Sequence, residues 1–195
     1  MFGRQKPFLV VGLGNPGREN RNNRHNIGFL VLDQLAERLG TSFSRMRMNA
    51  LQTAVKYKNH RLILIKPQTY MNSSGKAVSS FVRFYKLPLE NLLVVYDDVD
   101  LPFHTLRMRP DGGDAGQKGV RSIIQELGTQ QFPRLRIGIN RPPGRMSVSS
   151  YVLLDFSEQE AENLPFILNQ ASDAMLTFVE LGLNQAMTTF NQIPP

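Results

Sequence analysis

Short runs of β-branched and aliphatic residues alternate along this chain with segments whose apolar residues recur at helical spacing. Phe8–Leu13 and Leu92–Tyr96 are two such runs, and Asn26–Leu39 and Ser74–Tyr85 are two such segments. Because parallel strands must be joined by long crossovers that are usually helices, this alternation favours an α/β fold. It predicts a sandwich with a mixed, mostly parallel sheet, in which one early hairpin turns at Lys58–His60.

The second half of the chain continues this pattern and ends in a long helical segment from Ser157 to about Asn191. Ser157 and Glu160 form a capping box at its start. Pro165 lies beyond the first turn, where it would kink the helix or delay its beginning. The preceding segment Arg141–Ser150 is rich in Pro, Gly and Ser, which predicts a mobile loop. The other predicted elements are strands at 104–109 and 135–139 and a helix at 120–127.

The length of 195 residues fits a single domain over 1–195 that includes the C-terminal helical segment. Cysteine is absent, which excludes disulfides, zinc–thiolate sites and cysteine nucleophiles and permits a reducing, cytoplasmic compartment. No run of about 18 apolar residues occurs, so no membrane span is expected. The apolar residues near the N-terminus indicate a buried strand rather than a signal peptide.

Charge is distributed unevenly along the chain. Lys and Arg number 23 and Asp and Glu 16, so the formal net charge is +7. Residues 146–195 nevertheless contain no Lys or Arg and six acidic residues. A polyanionic partner would be attracted to the basic body and repelled by the acidic segment. A solvated surface with chance asymmetry explains the same numbers, so charge alone leaves both interpretations open.

The segment Gly12-Leu13-Gly14-Asn15-Pro16-Gly17 matches the G-x-G-x-x-G pattern of dinucleotide-binding proteins. Such a site needs a helix that opens directly at the glycine turn, with its N-terminus at the pyrophosphate. Here the helical pattern begins only after Arg24, and Pro16 removes a backbone donor. A nucleotide cofactor is therefore not expected.

Four polar residues fall at the ends of predicted elements. Asn15 follows the first strand, His25 precedes a helix, Asn72 lies at the entry to the next helix, and Asp97 ends another strand. Parallel strands would gather these ends at one edge of the sheet. A histidine base, an aspartate that fixes its tautomer and asparagines that hold an amide or ester would form a hydrolytic site without a metal. Turn or cap positions for the asparagines and a surface imidazole are the alternative.

Six segments together resemble the bacterial-type peptidyl-tRNA hydrolases. They are GLGNPG, RHNIGF, KPQTYMNSSGKAV, YDDVDLP, the glycine-rich segment 112–119 and RLRIGI, which run from about Phe8 to Ile139 in the family's order. The resemblance implies hydrolysis of the ester that joins a peptide to the 3′-terminal ribose of tRNA, with peptidyl-tRNA as the nucleic-acid partner. It also implies a monomeric, three-layer α/β/α sandwich without metal or cofactor.

Carried over residue by residue, the resemblance makes His25 the catalytic base and Asp97 its carboxylate partner. Asn15 and Asn72 match the family's two substrate-binding asparagines, and Tyr70 in the same motif as Asn72 is a further substrate-binding candidate. The resemblance also assigns contacts with the tRNA backbone to a group of cations, for which a solvated strand face is the alternative explanation. These cations are Arg107, Arg109 and Arg136, with Lys118 and Arg121 nearby.

Two positions depart from the family pattern. Asn20 stands where the family usually has a tyrosine, and Gly116-Gln117-Lys118-Gly119 stands where it commonly has Gly-His-Asn-Gly. Asn20 and Lys118 are kept as substrate-binding candidates. Lys118 has donors but no acceptor, so it would grip a 3′-terminal phosphate or lower the pKa of His25. The departures predict retuned hydrolysis, and they leave open an RNA-binding or splicing-type factor that has lost hydrolysis.

Overall fold

The computed structural model describes residues 6–191, whose seven strands form one sheet. The strands are β1 Phe8–Gly12, β2 Arg45–Arg47, β3 Ala50–Tyr57, β4 His60–Pro67, β5 Leu92–Asp98, β6 Leu106–Arg109 and β7 Arg134–Gly138. Their order across the sheet is β2-β3-β4-β1-β5-β7-β6. The central strands β4, β1, β5 and β7 are parallel, and β3 and β6 run antiparallel to their neighbours. The predicted mixed, mostly parallel sheet and the early hairpin are confirmed.

The helices among the described residues cover both faces of this sheet. They are α1 Ile27–Arg38, α2 Ser74–Tyr85, α3 Lys118–Leu127, α4 Val148–Tyr151, α5 Glu158–Leu181 and α6 Leu183–Phe190. One core cluster packs α1, α5 and α6 on one face, and a second packs α2 and α3 on the other. Every residue of β5 is buried, as expected for a parallel strand covered on both sides. The three-layer α/β/α sandwich is confirmed. No helix described between residues 6 and 191 has the length and apolar character to cross a bilayer.

The C-terminal half differs from the prediction in two places. Part of the predicted loop Arg141–Ser150 is helical, because α4 begins at Val148 with the Ser147 hydroxyl accepting from the Ser150 amide. The predicted long helix is divided at Gly182, whose φ of 85° separates α5 from α6. The capping box is present as predicted, and α5 continues through Pro165.

A pair of glycines lets helix α1 lie directly against the sheet. A Cβ atom on Gly28 would lie 2.5 Å from the Leu13 amide nitrogen and 2.6 Å from the Val95 carbonyl oxygen. A Cβ atom on Gly12 would lie 2.2 Å from the Gly28 carbonyl oxygen. The close approach fixes the start of α1, and with it His25, against the ends of β1 and β5.

Replacing Gly28 with alanine should lower the free energy of unfolding by about 1–3 kcal/mol, because the new methyl group meets backbone atoms that cannot rotate away. Urea unfolding followed by circular dichroism measures this change. Gly113→Ala is the matched control, since a Cβ there meets nothing within 4 Å. Its effect should stay within about 0.5 kcal/mol. Equal stability of the two variants would contradict the close packing of α1 on the sheet.

Candidate active site

A cavity of about 610 Å³ opens at the carboxyl ends of the parallel strands. Open α/β sheets bind ligands at this edge. The four residues Asn15, His25, Asn72 and Asp97 all line the cavity. They come from the segment after β1, the turn before α1, the segment after β4 and the end of β5. The structure therefore brings together residues that are far apart in the sequence.

His25 and Asp97 form the polar centre of this cavity. The His25 Nδ1 atom lies 3.0 Å from Oδ1 and 2.9 Å from Oδ2 of Asp97. Because a carboxylate only accepts hydrogen bonds, Nδ1 carries the proton and Nε2 is left as an acceptor. The His25 side chain is 12% exposed and that of Asp97 3%. The imidazole therefore has one nitrogen fixed by the protein and one basic nitrogen free of that bond.

Opposing effects set the pKa of His25. Burial of the imidazole lowers it, whereas the charge of Asp97 and the hydrogen bond to Asp97 raise it, and the net pKa lies above the ordinary 6.5. The Lys118 ammonium acts in the predicted direction and lowers the pKa, but it is the smallest of these causes. The imidazole is therefore a stronger base than an isolated histidine.

Gln117 also holds Asp97, a contact that the sequence did not reveal. Its Nε2 donates to Asp97 Oδ1 over 3.2 Å. Its Oε1 accepts from the amides of Gly119 and Val120 at 2.6 and 2.9 Å, which caps helix α3. One side chain thus joins the start of α3 to the carboxylate. Glutamine is not among the usual N-cap residues, and no spacing in the sequence indicates the contact with Asp97.

Asn15 is held in one orientation by its neighbours. The Asn26 side chain donates to the Asn15 carbonyl at 2.9 Å and accepts from the Asn15 amide at 2.8 Å. The Asn15 Oδ1 atom accepts from the Met71 amide at 2.8 Å. Because Oδ1 is engaged there, the Asn15 Nδ2 group is the donor that remains for a ligand. Asn26 is a second residue whose role was not predicted.

Arg24 ties the His25 turn to the segment that follows α4. The backbone amides of Arg24 and His25 donate to the carbonyls of Leu154 and Val152 at 3.1 and 2.8 Å. The buried Arg24 guanidinium also donates to the Leu154 carbonyl and, at 2.5 Å, to Glu160. These bonds fix the α4 wall of the cavity relative to the imidazole.

Two further predicted site residues, Tyr70 and Lys118, line the same cavity. Tyr70, at 73% exposure, and the exposed Asn72 stand just before α2. Lys118 is exposed at the first position of α3. A positive charge is unfavourable at a helix N-terminus. The position of Lys118 therefore has an energetic cost that an anion bound at the cavity would offset.

Asn20 is not brought to the cavity. Its Nδ2 donates to the Pro16 carbonyl at 2.8 Å, and its Oδ1 accepts from Asn23 Nδ2 at 3.2 Å. Both ends of its amide therefore stabilise the loop that leads to His25.

The three arginines predicted to contact tRNA lie at the β6 edge of the sheet and do not line the cavity. Arg107 and Arg136 are paired across β6 and β7, and Arg109 follows on the same face of β6. Arg136 forms an ion pair with Asp98, which is buried and lines the cavity. The Arg107 Nε atom is buried without a hydrogen-bond partner, while Arg109 is exposed.

A buried imidazole–carboxylate pair beside amide donors, at the carboxyl ends of the strands of an α/β sandwich, defines the class of general-base hydrolases. Across residues 6–191 no group of three or more His, Asp or Glu side chains is arranged to hold a metal ion.

Comparison with known proteins agrees with this class. The model of a family described as peptidyl-tRNA hydrolase matches residues 9–195. A peptidyl-tRNA hydrolase of Chloroflexus aurantiacus is 46% identical over 95% of this chain and 100% of that protein. A chloroplastic peptidyl-tRNA hydrolase of Arabidopsis thaliana is 46% identical over 96% of this chain, which spans 65% of that protein. The crystal structure of peptidyl-tRNA hydrolase from Acinetobacter baumannii has a TM-score of 0.91 and 32% identity, covering 99% of this chain and 100% of that one. The chain belongs to the peptidyl-tRNA hydrolase family.

Replacing Asp97 with asparagine should bring the pKa of His25 below 6.5, because burial and Lys118 still oppose the charged imidazole once the carboxylate charge is gone. An NMR titration of the His25 ring protons measures this. Asp33→Asn is the control, since Asp33 pairs with Lys66 and lies outside this cavity. A pKa that stays above 6.5 in Asp97→Asn would show that Asp97 does not set it.

Proposed function

We propose that this chain hydrolyses the ester between peptide and tRNA in peptidyl-tRNA, with His25 as the general base. The observation that carries the proposal is the placement of His25 Nδ1 on both oxygens of Asp97 inside the cavity. Membership of the peptidyl-tRNA hydrolase family supplies the substrate.

The proposed reaction uses the free nitrogen of the imidazole. Neutral His25 takes a proton at Nε2 from a water whose oxygen attacks the ester carbonyl carbon. The tetrahedral intermediate then collapses, and the ribose 3′ oxygen leaves with the proton from the imidazolium. Asp97 stays ionised, holds the tautomer and stabilises the positive ring. General-base catalysis of this kind contributes about 10²–10⁴-fold.

The rest of the cavity suits the two parts of the substrate. The Asn15 Nδ2 group holds the peptide main chain, and Asn72 holds the ester carbonyl oxygen or the attacking water. Tyr70 and the apolar residues Val148 and Leu153 offer a surface to peptide side chains. Lys118 at the rim binds a phosphate near the 3′ end of the tRNA.

Farther from the cavity, Arg107, Arg109 and Arg136 contact the tRNA backbone. Phosphate contacts make such binding dependent on salt and nearly independent of sequence, as an enzyme that accepts many tRNAs requires.

A binding protein without hydrolysis, the alternative that the sequence left open, is not supported. The substitutions that suggested it leave the catalytic pair unchanged, since Asn20 lies in the adjacent loop and Lys118 at the rim. The relatives and the solved structure named above are all described as hydrolases, which favours the enzyme.

We further propose that residues 1–195 form one domain, since both core clusters of the described residues pack on the same sheet. The monomeric state stays a prediction from the family resemblance. A cytoplasmic location stays a prediction, because one of the relatives named above is chloroplastic.

Replacing His25 with alanine should reduce peptide release from purified peptidyl-tRNA by at least about 10²-fold, because the base that activates water is gone. Binding of tRNA should be nearly unchanged. His104→Ala is the control, since His104 lies outside the cavity. Wild-type turnover in His25→Ala would remove His25 from the role of base, and tRNA binding without release by the wild type would favour the binding protein.

Replacing Lys118 with methionine should raise KM for peptidyl-tRNA by about 1.4- to 5-fold, the range of one exposed charge contact. It should also raise the pKa of His25, since the ammonium lowers it. Lys76→Met is the matched control, since Lys76 is an exposed lysine of α2 that does not line the cavity. Equal effects of the two substitutions on KM and on the pKa would contradict a specific role for Lys118.

A further inference from the structure

One long stretch of the chain has no acidic residue. Between Glu37 and Glu90 the sequence contains ten Lys or Arg and no Asp or Glu. Carboxylates for these cations must therefore come from other parts of the fold. The structure shows that they do so on one face of the sheet only.

Cations on the α1 and α5 face are neutralised. Arg38 pairs with Asp173 at 2.6 Å, and Lys66 pairs with Asp33 at 2.5 Å. Lys58 pairs with Glu180 of α5. The carboxylates of α1 and α5 thus compensate the basic residues on their own side.

Cations on the opposite face have no such partners. The remaining seven lie in no ion pair among the described residues. Strand register places four of them on the same sheet face as Ala50 and Ile63. The side chains of Ala50 and Ile63 belong to the core cluster that packs α2 and α3 on the sheet. Two more stand at the C-terminal end of α2. These six form a surface that we call the α2 patch: Arg45, Arg47, Lys56, Arg61, Arg83 and Lys86.

Aromatic rings are interleaved with these cations. The Arg47 guanidinium carbon lies 4.1 Å from the centroid of the Phe84 ring, and that of Arg61 lies 5.5 Å from the Tyr85 ring. Phe84 remains 55% exposed. Flat cationic and aromatic surfaces side by side are what unpaired bases stack on in proteins that bind single-stranded nucleic acid.

The patch is remote from the arginines assigned to the substrate. The β2 and β6 strands stand at opposite edges of the sheet, which at six strand spacings are roughly 29 Å apart. The α2 patch is therefore a surface separate from the arginines assigned to the substrate.

We infer that the α2 patch binds a single-stranded RNA segment that is not part of the bound substrate. Phosphates pair with the uncompensated cations, and an unpaired base stacks at Phe84. Six cations that lie in no ion pair favour an anionic occupant, and the exposed ring beside Arg47 favours nucleic acid over an acidic protein.

Fluorescence anisotropy of a labelled oligouridine tests this inference across a range of salt concentrations. The double variant Arg45→Gln/Arg47→Gln should bind more weakly, with a slope of log K against log salt that is shallower by about 1.4, since each phosphate contact contributes about 0.7. Phe84→Ala should weaken binding about 5- to 150-fold without changing the slope.

Matched controls carry the same changes on the other face. Arg38→Gln/Lys58→Gln removes two paired cations, and Phe166→Ala removes a ring that is 59% exposed on α5. Both should bind oligouridine like the wild type. Turnover of peptidyl-tRNA should be unchanged in every one of these variants, and because binding is measured without turnover, failure here is distinct from failure of the proposed function.

Three results would overturn the inference. Equal losses in the patch variants and the controls would show that only net charge matters. Polyglutamate that displaces the RNA, together with wild-type binding by Phe84→Ala, would indicate an acidic protein instead. A rise in KM for peptidyl-tRNA that matches the loss of oligouridine binding would assign the patch to the substrate's own tRNA.

Discussion

The hydrogen bonds between His25 and Asp97 join residues 72 positions apart, and four packed elements keep them in place. Asp97 belongs to the fully buried strand β5. His25 precedes α1, which Gly28 allows to lie against the sheet. Gln117 links the carboxylate to α3, and the Val152 carbonyl holds the His25 backbone. A shift of any of these elements would lengthen the bond that sets both the tautomer and the pKa of the imidazole.

Electrostatics divide the molecule along the plane of the sheet. The acidic C-terminal segment, which appears in the sequence as an isolated charge asymmetry, supplies Asp173 and Glu180 to cations of the adjacent face. The opposite face keeps its basic residues uncompensated around the end of α2. The uncompensated positive charge is therefore concentrated on one part of the surface. We expect a polyanion to approach from the α2 side or the β6 edge.

The elements with strong periodicity were predictable from the sequence, and so was the edge of the sheet where His25 and Asp97 meet, because both stand at element ends. Strand β2 was not predicted, since three mostly exposed residues carry no apolar pattern. Helix α4 is one turn long and depends on the Ser147 cap. The contacts that support the catalytic pair were also not predictable from the sequence. The bond from Gln117 to Asp97 crosses between elements, and local spacing does not encode such a distance.

The most direct test of the account compares two midpoints in the same protein. One is the pH midpoint of kcat/KM for peptide release, and the other is the pKa of His25 from NMR. Only neutral His25 accepts a proton from water, so activity should rise with pH through that pKa, at a midpoint above 6.5. Coincident midpoints that move down together in Asp97→Asn are the predicted result. A pH profile of kcat/KM that does not follow the titration of His25 would contradict the central claim.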